Sequence, residues 1–116
     1  MSTGDSFIER LLRVVPELKE AYDEHVTDND MLLPHVFMGD ITRFVIAEAS
    51  SASGLSAVHR VLDYFESELR MGAAESIELI RASFVENLIG EKVVVNKLKP
   101  IMGLGLRREI ETICGK

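Results

Sequence analysis

Apolar residues recur at the three- and four-residue spacing of an α-helix along almost the whole sequence. One clear stripe consists of Leu55, Val58, Leu62, Phe65 and Leu69. No segment alternates apolar and polar residues as a half-buried strand does, and no Asn-Gly or Asp-Gly pair marks a hairpin turn. The sequence therefore predicts an all-α fold.

Proline and glycine positions divide this pattern into six to seven helices with short connections. The expected helices span about 7–15, 16–26, 34–50, 57–71, 73–89, 93–98 and 106–113. Ser6 and Ser56 are the expected caps of the first and fourth helices, because a serine oxygen can accept a hydrogen bond from a free N–H of the first turn. The segment from Thr27 to Asp30 is predicted to be a polar break. Short connections favour helix hairpins packed in a single compact domain over residues 1–116.

The later helices carry two further indications of packing. In the fifth helix, the residues expected to face inward are Ile77, Ile80, Phe84 and Leu88. The Gly-Leu-Gly segment at residues 103–105 is predicted to be a turn before the last helix.

Composition indicates a soluble globular protein. Of the 116 residues, 47% are hydrophobic and 28% are charged, which is typical of a folded domain and not of a disordered chain. Cys114 is the only cysteine, so an intramolecular disulfide is impossible and a reducing compartment is suitable. There is no signal-peptide pattern and no apolar run of the roughly 20 residues that a membrane helix needs. We therefore expect a cytoplasmic protein without a membrane partner.

The net charge of −6 is distributed unevenly along the chain. Residues 1–91 contain 17 acidic and 7 basic residues, whereas residues 92–116 contain 2 acidic and 6 basic residues. An acidic body argues against nucleic acid as the main partner, because phosphate binding needs a basic surface. It favours a partner with a basic surface, although an acidic surface also keeps a protein soluble without any partner.

The acidic residues are concentrated between residues 17 and 30. Glu17, Glu20 and Glu24 have the spacing of one helix face. We predict that this stripe steers and holds a basic protein by charge complementarity. The alternative is a helix face that is simply solvated. The residues predicted to contact the partner are Glu17, Glu20, Tyr22, Asp23, Glu24, His25, Asp28 and Asp30.

The following helix carries three polar residues in an apolar run, TDNDMLLPHVFMGDITRF at residues 27–44. One interpretation is an internal network in which Asp40 pairs with Arg43 and His35 bonds a loop carbonyl, because buried charges need partners. The other is a polar pocket in which His35 and Asp40 transfer protons. The sequence contains no nucleophile, phosphate-loop or metal-ligand motif. We therefore predict no catalytic residue, no metal site and no cofactor.

The segments DNDMLLPHVFMGDITRF and SFVENLIGE, the latter at residues 83–91, carry a resemblance. The chain resembles a family of small, uncharacterised bacterial helical proteins with LPHVFxGDxTR-like and SFVENL-like helices. The resemblance implies an all-helical domain and assigns no chemistry. It groups Glu86 and Asn87 with His35, Asp40 and Arg43 as one polar signature. In size and charge the chain is similar to immunity proteins, which neutralise secreted toxins.

These observations together predict a non-enzymatic protein-binding domain. Its most concrete form is an immunity protein that neutralises a bacterial toxin, such as a nuclease, by covering a basic active site with residues 17–30. One alternative is a small enzyme or ligand-binding domain with a pocket around His35, Asp40 and Arg43. Another is a helical dimerisation or scaffold module, and the sequence leaves the oligomeric state open.

Overall fold

Seven helices make up the part of the chain that the computed structural model describes, namely the backbone of residues 3–114 and the side chains of residues 4–113. That part contains no strand, and the all-α prediction is confirmed. The helices are α1 (Thr3–Val14), α2 (Lys19–Asn29), α3 (Pro34–Glu48), α4 (Leu55–Met71), α5 (α-helical Ala74–Ile80 and Glu86–Leu88 on either side of a π-helical turn, Arg81–Val85), α6 (Lys92–Leu98) and α7 (Leu104–Cys114). Short 3₁₀ turns, Pro16–Leu18 and Lys99–Ile101, precede α2 and α7.

Two predicted caps are wrong, and α2 is longer than expected. α1 begins three residues before Ser6 and α4 begins one residue before Ser56, so both serines lie inside their helices. Serine also occurs on exposed helix faces, so its position alone does not distinguish a cap from a first turn. α2 remains helical through Asn29, so the polar segment from Thr27 belongs largely to the helix. It ends at Asp30, whose φ of 63° lies in the left-handed region where helices commonly terminate.

Four fully buried phenylalanines lie at the contacts between helices. Phe65 of α4 meets Phe84 of α5 edge-on, with ring centres 4.7 Å apart, and it stacks on Phe7 of α1 at 5.8 Å. Phe37 of α3 meets the ring of Tyr22 of α2 at 5.7 Å. Aromatic pairs at these distances stabilise a core beyond the area they bury. They join α1, α4 and α5 in one core and pack α2 against α3.

The overall dimensions agree with one compact body. The radius of gyration of the Cα atoms is 13.3 Å, close to the value of about 13 Å expected for a folded chain of this length. Among the described helices, none combines the length and the apolar character needed to cross a bilayer.

Glu66 of α4 attaches the last helix to the core. Its carboxylate accepts hydrogen bonds from the backbone N–H groups of Gly105, at 2.8 Å, and Leu106, at 3.0 Å. These N–H groups lie in the first turn of α7, where helical donors lack partners within the helix and negative charge is favourable. A Cβ on Gly103 would overlap the Glu66 carboxylate, and a Cβ on Gly105 would lie 2.8 Å from its Oε2 atom. The two glycines therefore leave room for the carboxylate.

Tyr64 of α4 fastens α1 in a similar way. Its hydroxyl donates a hydrogen bond of 2.8 Å to the carbonyl of Phe7, and one turn further along α4 the carboxylate of Glu68 accepts a hydrogen bond of 3.2 Å from Arg10. Burial raises the pKa of Tyr64 to about 12, and the negative charge of Glu68 adds to the effect. The neutral phenol is thus the form that fits this contact.

The burial of Tyr64 predicts a loss of stability in alkali. A tyrosine in the unfolded chain ionises at about pH 10, whereas the folded protein holds the Tyr64 proton to about pH 12. This contribution to stability is complete below about pH 10 and is lost as the pH rises to about 12. Urea titrations across this window should show a falling free energy of unfolding, with a smaller fall in the Tyr64→Phe variant. Tyr22→Phe is the matched control. If the free energy of unfolding of Tyr64→Phe fell with pH as steeply as that of the wild type, Tyr64 would not be the source of the effect.

Candidate functional site

The exposed face of α2 carries a row of three carboxylates. Glu20, Glu24 and Asp28 lie four residues apart within one continuous helix, so they follow one another along the same face. All three are exposed. None of their side chains forms a hydrogen bond or an ion pair with the described residues. We call these three residues the acidic row.

The other predicted carboxylates of this region already have partners, except for Asp30 at the end of the helix. Glu17 lies in the turn before α2 and accepts two hydrogen bonds from Arg60 of α4, one of them 3.0 Å long. Hydrogen bonding from Arg60 lowers the pKa of Glu17. Asp23 accepts a hydrogen bond of 2.7 Å from Lys19. Glu17 therefore holds the Pro16–Leu18 turn against α4 instead of extending the stripe with Glu20 and Glu24.

His25 is not available to a partner, and its predicted role as a contact residue is wrong. Its side chain is 1% exposed and packs against the ring of Phe37 at 5.3 Å. Its Nε2 atom accepts a hydrogen bond of 3.0 Å from the backbone N–H of Leu33. His25 is three residues after Tyr22 and seven after the buried Leu18, so helical spacing places it on the inner face. That spacing was the signal that the charge-based prediction overlooked.

Tyr22 is half-buried, and its ring is nearly perpendicular to that of Phe37, with the ring centres 5.7 Å apart. The ammonium group of Lys19 lies 5.6 Å from the centre of the same ring, within the range of a cation–π contact. Tyr22 therefore lies at the border between the core and the exposed face of α2, where part of its ring remains accessible.

On α3 the predicted trio of polar residues separates into two groups. Asp40 pairs with Arg43, as predicted, and the second Asp40 oxygen lies 3.5 Å from Nδ1 of His25. His35 does not join them, since its Nδ1 atom lies 2.6 Å from the hydroxyl of Ser83 on α5. The expected bond from His35 to a loop carbonyl is thus also wrong. Residues five apart on a helix point about 140° away from each other, which separates His35 from Asp40.

Ser83 lies in the π-helical turn of α5 and joins the two segments that carry the resemblance. Its carbonyl accepts hydrogen bonds from Thr42 of α3, at 3.4 Å, and from the side chain of Asn87, at 2.8 Å. A π-helical turn interrupts the regular α-helical hydrogen bonds, which allows side chains to reach such a carbonyl. Asn87 thus stabilises its own helix, whereas Glu86 is exposed and makes no side-chain bond within residues 3–114.

The pair formed by His35 and Ser83 has the composition of a base and a nucleophile. Ser83, however, is only 8% exposed, and its carbonyl accepts hydrogen bonds from side chains of α3 and α5. Within the described residues, Nε2 of His35 has no hydrogen-bond partner that would hold the imidazole ring in one orientation. This arrangement packs α3 on α5, and it differs from the predicted internal network, of which the pair of Asp40 and Arg43 alone is present.

A surface cavity of about 280 Å³ lies elsewhere, along α4. It is lined by Asp63, Glu66, Ser67, Arg70 and Met71. Both carboxylate oxygens of Glu66 are already bound to the first turn of α7. None of the predicted site residues lines this cavity. The acidic row on α2 therefore remains the candidate site among the predicted residues.

The comparison with protein families gives one match. The model of a family described as Domain of unknown function (DUF7674) matches residues 8–115 and therefore includes all seven helices except the first residues of α1. No curated protein and no solved structure matches the chain.

Proposed function

The chain belongs to the family described as Domain of unknown function (DUF7674), and we propose from its geometry that it is a non-enzymatic domain that binds a basic protein through α2. The observation that carries this proposal is the acidic row, Glu20, Glu24 and Asp28, which is exposed and has no neutralising partner. Lys19, the one lysine or arginine of α2, is already bound to Asp23.

The geometry of the acidic row suits a protein surface. Successive carboxylates are four residues apart, which corresponds to about 6 Å along a helix axis. Like charges at this spacing cost a few tenths of a kcal/mol per pair in an isolated helix. A partner with lysine or arginine residues at matching positions would remove that repulsion and add favourable charge pairs. Tyr22 lies outside this face, because it is two residues from both Glu20 and Glu24 and therefore points about 160° away from them around the helix.

The most concrete form of this function is an immunity-type inhibitor. A toxin that cleaves nucleic acid must present basic residues to phosphate groups. An acidic helix face can cover such a surface and compete with its substrate. We propose that the acidic row does this in a cytoplasmic complex, with Asp30 extending the charge beyond the end of α2.

Reversal of the acidic row tests the proposal. The triple variant Glu20→Lys, Glu24→Lys, Asp28→Lys should bind the partner about 100-fold more weakly, because three attractive charge pairs become repulsive. The partner is first captured from an extract of the source cells with the wild-type protein and identified by mass spectrometry. Calorimetric titrations over a range of NaCl concentrations then compare the two proteins.

The matched control reverses three exposed acids outside α2. Glu86→Lys, Glu91→Lys, Glu111→Lys produces the same change in net charge, and it should retain most of the affinity. An equal loss in both triple variants would show that overall charge, and not the acidic row, attracts the partner. Wild-type affinity that does not change with salt would contradict the charge mechanism itself.

A further inference from the structure

His25 is the one residue of α2 that is fully buried, and it connects α2 to the start of α3. Its Nε2 atom accepts a hydrogen bond of 3.0 Å from the backbone N–H of Leu33. Leu33 immediately precedes α3, so this bond fixes the linker of residues 30–33. α2 also meets α3 through the rings of Tyr22 and Phe37, whose centres are 5.7 Å apart.

The hydrogen bond from Leu33 determines where the imidazole carries its proton. A backbone N–H can only donate, so Nε2 must present a lone pair and the proton must be on Nδ1. Nδ1 lies 3.5 Å from an oxygen of Asp40. A second proton could only go to Nε2, where it would point at the N–H of Leu33. Protonation of His25 would therefore break this partly buried bond and leave the N–H of Leu33 without its acceptor, which is unfavourable.

The groups around the imidazole do not compensate for this loss. From α3, Asp40 faces Nδ1 and is itself paired with Arg43. From α2, the side-chain NH₂ group of Asn29 lies 3.4 Å from the same nitrogen, and its shorter hydrogen bond, of 2.8 Å, is donated to the backbone carbonyl of His25. From the linker, the backbone N–H of Leu33 donates its hydrogen bond to Nε2. Asp40 attracts an imidazolium, but it does so on the Nδ1 side and cannot restore the bond at Nε2.

We propose that His25 is a pH-sensitive latch whose protonation releases α2 from α3. An exposed histidine takes up a proton as the pH falls through about 6.5. The release itself is independent of any partner. That it also controls the acidic row rests on the function proposed above.

Nuclear magnetic resonance of the unmodified protein tests the latch without a partner. At about pH 8 the ring nitrogens of His25 should show the Nδ1–H tautomer, with Nε2 unprotonated. Between about pH 7.5 and 5.5, hydrogen-exchange protection of the Leu33 amide and of the α2 amides should fall by at least about tenfold. Protection of the α4 and α5 amides should persist. The proposal would be overturned if His25 were found as the Nε2–H tautomer, or if hydrogen-exchange protection fell equally in all helices.

Two variants isolate the contribution of His25. His25→Gln offers an oxygen acceptor that does not titrate, so protection of α2 should no longer depend on pH. His59→Gln is the matched control, because His59 is exposed on α4 beside Asp63 and should leave the pH dependence unchanged. Persistence of the pH dependence in His25→Gln refutes the latch. If that variant does not fold, the tautomer and exchange data on the unmodified protein still decide. A failure to find a basic partner would leave these results unaffected.

Discussion

Replacement of Phe84 with alanine is expected to lower the free energy of unfolding by about 4 kcal/mol. The side chain is fully buried and meets the ring of Phe65 edge-on at 4.7 Å. Truncation removes the transfer free energy of the ring, leaves a cavity and abolishes the aromatic pair that joins α4 to α5. Urea titrations at neutral pH, analysed as a two-state transition, measure the change.

Met71→Ala is the control for this experiment, since Met71 is also a large apolar residue but is 78% exposed at the end of α4. Its effect should stay within about 0.5 kcal/mol. A loss below about 2 kcal/mol in Phe84→Ala would mean that the surrounding helices close the cavity. In that case the contact between Phe65 and Phe84 would not be the centre of the core.

Periodicity was sufficient to identify Phe84 but not the local geometry of its helix. Ile77, predicted to face inward, is only partly buried. Ile80, Phe84 and Leu88 were predicted with it, and all three are fully buried. The spacing of four residues between them departs only slightly from the 3.6 residues of an α-helix. A single π-helical turn changes the spacing of apolar residues over only five residues. So short a change cannot be distinguished in a sequence from the ordinary variation of apolar spacing in α-helices. The role of Ser83 at the contact with α3 could therefore not be predicted.

The candidate site shows a different limit of sequence-based prediction. Local charge density drew attention to residues 17–30, of which Glu20, Glu24 and Asp28 are exposed carboxylates. It could not show that Glu17 is bound by Arg60, because the two residues are distant in the sequence and meet only when α4 packs beside the turn. The same applies to His35 and Ser83. Contacts between residues far apart in the chain depend on the packing of whole helices, which composition and spacing do not specify.

The segment at residues 103–105 shows how such a contact gives a sequence motif its meaning. Two glycines in three residues predicted a turn, and Leu104 in fact begins α7. The glycines are needed because the carboxylate of Glu66 occupies the space where their side chains would lie. Glu66 belongs to the apolar-striped α4 and carried no signal in the sequence. Its importance follows from the two N–H groups that it binds.

Removal of this carboxylate should have the second largest effect. Glu66→Ala is expected to lower the free energy of unfolding by about 3 kcal/mol, because the N–H groups of Gly105 and Leu106 lose a charged acceptor in a largely buried position. Glu66→Gln retains one acceptor oxygen and should lose about half as much. Urea titrations measure the total effect, and hydrogen exchange should show the greatest loss of protection in α7.

Glu111→Ala is the control for charge, since Glu111 is exposed on α7 itself and its removal should cost less than about 0.5 kcal/mol. Gly103→Ala provides the decisive comparison. Alone it should destabilise the protein, because its Cβ would overlap the Glu66 carboxylate. In a chain that already carries Glu66→Ala the overlap is absent, so the double variant should lose clearly less than the sum of the two single losses. Additive losses would show that Gly103 is required for its backbone conformation and not to accommodate Glu66.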